Sequence, residues 1–121
     1  MSEETRNYFK VGMPENVDCI VQEYRWGRKT LLIKFKRVNS PEVQYVKFSG
    51  VEYFAGPVEW TNANFEVRST EECLNLMRDV GRANEHVTEE HLIANNLQLL
   101  TVTLPHTIVA IVAKSITRYS G

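Results

Sequence analysis

Residues 30–38, TLLIKFKRV, carry the clearest alternation in the chain: Leu31, Ile33 and Phe35 fall at one parity, Lys34 and Lys36 at the other. A period of two belongs to a strand with one dry face and one wet face. Such a strand must join a sheet that is covered on one side. Residues 17–26 supply the neighbour, with Val17, Cys19 and Val21 at one parity and Ile20, Tyr24 and Trp26 at the other. The turn around Trp26, Gly27, Arg28 and Lys29 makes the two a hairpin. The run Asn39-Ser40-Pro41-Glu42 ends the second strand, because proline arrives with its φ already set for a turn.

Residues 43–68 hold Tyr45, Phe48, Tyr53, Phe54 and Trp60, punctuated by Gly50, Gly56 and Pro57. Val46 and Phe48 sit at even positions, Val51 and Tyr53 at odd ones. A one-residue slip flips every side chain, so an extra residue is needed if both pairs point inward, and a β-bulge is predicted at Gly50. The strand over 58–68 changes parity as well, which places a bulge or short break around Asn62 and Asn64. The first residues offer Phe9, Val11 and Met13 as a weak edge strand, interrupted by Gly12 and Pro14.

The period then becomes helical. Ser69 with Glu72 fits a capping box, Cys73, Leu74, Leu76, Met77 and Val80 follow at helical spacing, and Gly81 is a stop. A helix over about 70–80 follows from that pattern. Thr88-Glu89-Glu90 resembles another N-cap, opening a short helix over about 88–95. Residues 97–104 and 108–113 are apolar at both parities and read as central strands joined by a hairpin at Pro105-His106. Beyond Ala113 the pattern thins, and the last strand is expected to run past the edge of the core. The fold class is therefore α+β: a mostly antiparallel sheet of about six strands, curved or a half-barrel, with the helix on one face.

At 121 residues the chain has the size of one domain, 1–121, with residues 1–7 as a loose tail. The N-terminus is acidic and lacks an apolar leader core, and the longest apolar run, 108–113, is too short to span a bilayer as a helix. A soluble, cytoplasmic protein with no membrane partner is the expectation. Two cysteines in that setting read as reduced core residues. The net charge of -1 gives no global pull toward nucleic acid, so such binding needs a local patch.

No catalytic motif is present, and no cofactor is expected. Cys19, alternating with Val17 and Val21, reads as core rather than nucleophile. His86 and Glu90 form a metal pair only if a helix begins early enough to hold both. A solvated helix start explains them better, so no metal site is expected. A basic patch of Arg25, Arg28, Lys29, Lys34 and Lys36 surrounds the first hairpin, with Tyr24 and Trp26 near it. It suits phosphates or an acidic protein surface, although lysines on an open hairpin are also a guard against aggregation. Glu52, Tyr53, Glu59, Trp60, Asn62 and Asn64 combine aromatic faces with carboxylates and amides, the makings of a ligand pocket or a partner site, although a tryptophan in a small sheet domain is most often core, so a partner site there requires Trp60 to be exposed.

The functional expectation is a non-enzymatic binding or regulatory protein acting through a protein partner or a second copy, in an inhibitor-like or immunity-like role. The alternatives are a small-ligand or enzymatic half-barrel with its pocket at Tyr53 and Trp60, and weak nucleic-acid binding through the basic hairpin.

Overall fold

A computed structural model describes residues 6–120. It has the α+β, mostly antiparallel architecture expected from the pattern, with nine strands divided between two sheets rather than about six in one curved sheet. In chain order these are β1 (Val17–Arg25), β2 (Thr30–Arg37), β3 (Val43–Ser49), β4 (Tyr53–Ala55), β5 (Glu59–Thr61) and β6 (Glu66–Val67). Helices α1 (Thr70–Asp79) and α2 (Glu89–Ala94) follow, then β7 (Gln98–Thr103), β8 (Ile108–Ala113) and β9 (Ser115–Ser120). One sheet has the order β5-β1-β2-β3-β9, the other β4-β8-β7-β6.

The two sheets arise where the chain stops being one strand. At Gly50 it turns left-handed, with φ 65, and leaves β3 for β4 in the second sheet. The parity change there is thus a crossing between sheets rather than a bulge within a strand. Val46, Phe48 and Val51 all become fully buried, but Tyr53 turns to the helix side while Phe54 packs on the main core. The break expected around Asn62 and Asn64 is present, and it separates β5 in the first sheet from β6 in the second. Asn62 Oδ1 accepts the Asn64 backbone N–H at 2.9 Å, so the amide side chain stands in for a ladder partner.

A bulge does occur, but in β1: pairing with β2 slips between Val21 and Glu23. The slip puts Tyr24 opposite the inward-facing Leu31, where Gln22 would otherwise have kept it on the outer face. Beyond Ala113 the chain leaves the core as expected, since β9 is exposed except at Ile116, but it is a separate strand. It pairs along β3 from Gln44↔Ser120 to Ser49↔Ser115, making it the edge of the first sheet rather than an overhang.

Between the sheets lies a core built on Phe9. Its ring meets Phe35, Phe48 and Phe65 edge-on, with centroids at 5.5, 6.2 and 5.3 Å. The weak edge strand expected around Phe9 is absent: Asn7 and Lys10 take left-handed backbone, and the segment folds over the end of the core as a strap. Of the expected tail, residues 1–5 lie outside the described part, whereas Asn7 donates its backbone N–H to Asn64 Oδ1 at 2.7 Å. Lys34 and Lys36 point away from this core, as their parity requires.

A second cluster covers the other face of the β7–β8 pair. Cys73, Leu74 and Met77 of α1 and Leu92 of α2 pack there on Leu99 and Val112. β7 and β8 are therefore buried on both faces, which explains their lack of alternation. Ser69 and Glu72 form the capping box, and Arg68 grips the same carboxylate at 2.7 Å. The Arg68 bonds, then the Ser69 amide, hold the Glu72 carboxyl below its ordinary range.

Phe9→Ala is expected to cost about 3–5 kcal/mol in urea unfolding, because it empties the centre of the core. Met13→Ala, at a side chain 62% exposed, is expected to stay within about 0.5 kcal/mol. Glu72→Gln is expected to destabilise at neutral pH. Because the folded pKa is the lower one, that contribution is present above the unfolded carboxylate value and is lost as pH falls through the folded one. Melting curves of the two proteins should therefore converge in acid.

Candidate functional site

The six residues 52, 53, 59, 60, 62 and 64 do not converge. Trp60 is 6% exposed, packs on Phe65 and donates its Nε1–H to the Asn62 carbonyl at 2.9 Å, so it is a core residue. Asn62 and Asn64 spend their side chains on the loop and on Asn7. Glu59 lies exposed on the short edge strand β5, opposite Ile20. Glu52 pairs with Lys29 Nζ at 2.9 Å. Tyr53 belongs to the second sheet and packs toward the helices, away from Trp60.

Tyr53 instead joins a different set. An open cleft of about 520 Å³ is lined by Tyr24, Trp26, Tyr53, Phe54 and the segment Val80, Gly81 and Arg82. The hairpin tip supplies one wall. A 3-10 turn over Trp26–Arg28 closes with Lys29 in left-handed backbone, projecting Trp26 into solvent at 44% exposure. Lys29 is fixed twice: its carbonyl accepts the Val51 N–H at 2.8 Å, and its ammonium holds Glu52. The bulge in β1 turns Tyr24 inward, where it meets Phe54 edge-on at 5.4 Å and Trp26 at 6.3 Å.

The end of α1 supplies the other wall. Gly81, at φ 77, reverses the chain, and the N–H groups of Arg82 and Ala83 both return to the Met77 carbonyl, at 2.7 and 3.1 Å. This geometry lays the Arg82 guanidinium over the Trp26 ring, 4.1 Å from its centroid. Burial raises the Tyr24 phenol above its ordinary value, and Arg82 partly offsets that shift. The cleft thus presents aromatic rings packed edge-on, with a guanidinium lying over one of them. Phe54, Val80 and Arg82 carried no linear signal for it, and Tyr24 and Trp26 entered the sequence reading only as neighbours of the basic patch.

The basic patch divides. Arg25, Arg28 and Lys29 stay at the tip, Arg25 held by Glu23 at 2.7 Å. Lys34 and Lys36 lie on the outer face of the first sheet, opposite Tyr45 and Val43. His86 precedes α2 rather than joining it, and its backbone N–H bonds Asn84, so His86 and Glu90 do not share a helical face. Among the described residues, no three His, Cys, Asp or Glu side chains gather as metal ligands. No helix there is long and apolar enough to cross a membrane.

No protein-family model, curated protein or solved structure matches the chain.

Burial pushes the Cys19 thiol up to about 12 against a weaker opposing bond from Asn62, and pushes Cys73 up to about 11. Both thiols should resist a disulfide reagent in the native protein at pH 8 and react fully once it is unfolded; fast native labelling would contradict their placement. Since the folded pKa values are raised, this contribution to stability is intact below pH 9 and declines as pH climbs through the folded values.

Proposed function

We propose that this chain is a non-enzymatic binding protein that acts through a protein partner, which it engages at the cleft between Tyr24, Trp26 and Arg82. The observation that carries the reading is an exposed tryptophan held between a tyrosine and an arginine over an open concavity. Trp, Tyr and Arg are the residues in which interface binding energy concentrates. They bury large rigid surfaces at a small cost in side-chain entropy. A core function does not account for Trp26, because the residue is 44% exposed while the other tryptophan, Trp60, is buried. Arg82 gives this aromatic centre a charged margin, as interfaces commonly have.

The chemistry around the cleft favours binding over reaction. Neither thiol faces it, and no carboxylate lies among its lining residues. The nearest tip carboxylates, Glu23 and Glu52, are each paired with a neighbouring cation.

Quantitative affinity capture from the native host with wild-type and Trp26→Ala baits tests the reading. A partner retained by the wild type should be lost from the variant, and with the purified pair the substitution should weaken binding by about 2 kcal/mol or more, roughly thirtyfold. Equal retention by both baits, with the variant folded, would overturn it.

A further inference from the structure

The cleft lies at the turn end of the β1–β2 hairpin, and a second concavity lies at the other end, roughly 25 Å away at about 3.3 Å per strand residue. It encloses about 120 Å³ beneath the N-terminal strap. Its apolar floor is Val11, Val17 and Phe35, of which Val17 and Phe35 are buried. Its rim carries Lys10 from the strap, Arg37 from β2 and Arg118 from β9. Three segments far apart in sequence thus bring three cations to one small opening.

Both guanidinium groups have structural partners and N–H groups beyond them. Arg118 donates through Nη1 to the Phe9 carbonyl and through Nη2 to Gln44 Oε1, the latter at 2.9 Å. Arg37 donates through Nη1 to the Gly12 carbonyl at 2.9 Å and has Glu42 3.5 Å from Nε. Since a guanidinium carries five N–H donors in a plane, these contacts orient each fork and leave donors over. Glu42 is the one carboxylate on the lining, and its side chain is 66% exposed.

We propose that this concavity binds a small monocarboxylate with a short apolar tail, of the size of butyrate. The volume holds about four water-sized groups, enough for a carboxylate and a few carbons. The charged head would meet the guanidinium forks, for which a carboxylate is the matching planar acceptor. The tail would lie against Val11, the part of the floor that is not already buried. A fully polar anion such as phosphate satisfies the rim but sets oxygens against that floor, at a desolvation cost. The site is separate from the partner cleft, and neither reading depends on the other.

The test is a titration of the isotope-labelled full chain, followed by amide NMR, with sodium butyrate, butyramide and inorganic phosphate in parallel. Butyrate should give saturable shifts at Val11, Gln44 and Arg118, and butyramide, which keeps the tail without the charge, should give none. Lys10→Gln should weaken butyrate binding about three- to fivefold, the effect of one partly exposed charge. Arg118→Gln should weaken it further if that variant keeps its fold; because Arg118 also holds the strap, the Lys10 variant carries the decision. Four outcomes would each overturn the assignment: no saturable shift with butyrate, equal binding by butyramide, phosphate binding at least as tightly as butyrate, or unchanged butyrate affinity in Lys10→Gln.

Discussion

The edge-on packing of Phe9 among Phe35, Phe48 and Phe65 is the contact on which the rest of the structure depends. Phe35 and Phe48 come from the first sheet, while Phe65 comes from the link between the two. A ring inserted from the strap fills the space where these pieces meet. Edge-to-face aromatic pairs add to ordinary burial, and their geometry fixes the strap and the link against the first sheet. Asn7 reinforces the arrangement by joining the strap to Asn64, and Arg118 does so by holding the Phe9 carbonyl from β9.

This core also decides what the hairpin can do. Leu31, Ile33 and Phe35 anchor β2 through its middle, so both ends of the hairpin stand at the margins of the core. At one end the bulge in β1 and the left-handed Lys29 raise Tyr24 and Trp26 against the reversal after α1. At the other, Val17 and Phe35 form an apolar floor under a cationic rim. A rigid scaffold with adaptable material at its margins is a common way for small domains to present binding surfaces.

Much of the fold was legible in the sequence, for local reasons. Alternation at 30–38 established a one-sided strand, the Ser69–Glu72 capping box opened a helix, and apolar runs at both parities marked β7 and β8 as doubly covered. Parity also located the irregularities at Gly50 and Asn62, but it could not distinguish a bulge from a crossing between sheets, since both shift the pattern by one residue. Phe9 misleads in the sequence, because its alternation with Val11 and Met13 suggests an edge strand, whereas left-handed backbone at Asn7 and Lys10 makes the segment a strap. The cleft was less legible still. A tryptophan in a small sheet domain is expected in the core, as Trp60 is, but only the folded chain shows that Trp26 is exposed and brings Arg82 over it.

The claim that the cleft is where this protein meets its partner is tested most directly by a photo-crosslinking side chain at Val80, which is 37% exposed on the cleft wall. Irradiation in native cells should give one discrete covalent adduct, abolished by Arg82→Ala and absent when the same probe replaces Thr117 on the distant edge strand β9. Adducts of equal yield and pattern from both positions, or none from Val80 with the protein folded, would contradict it.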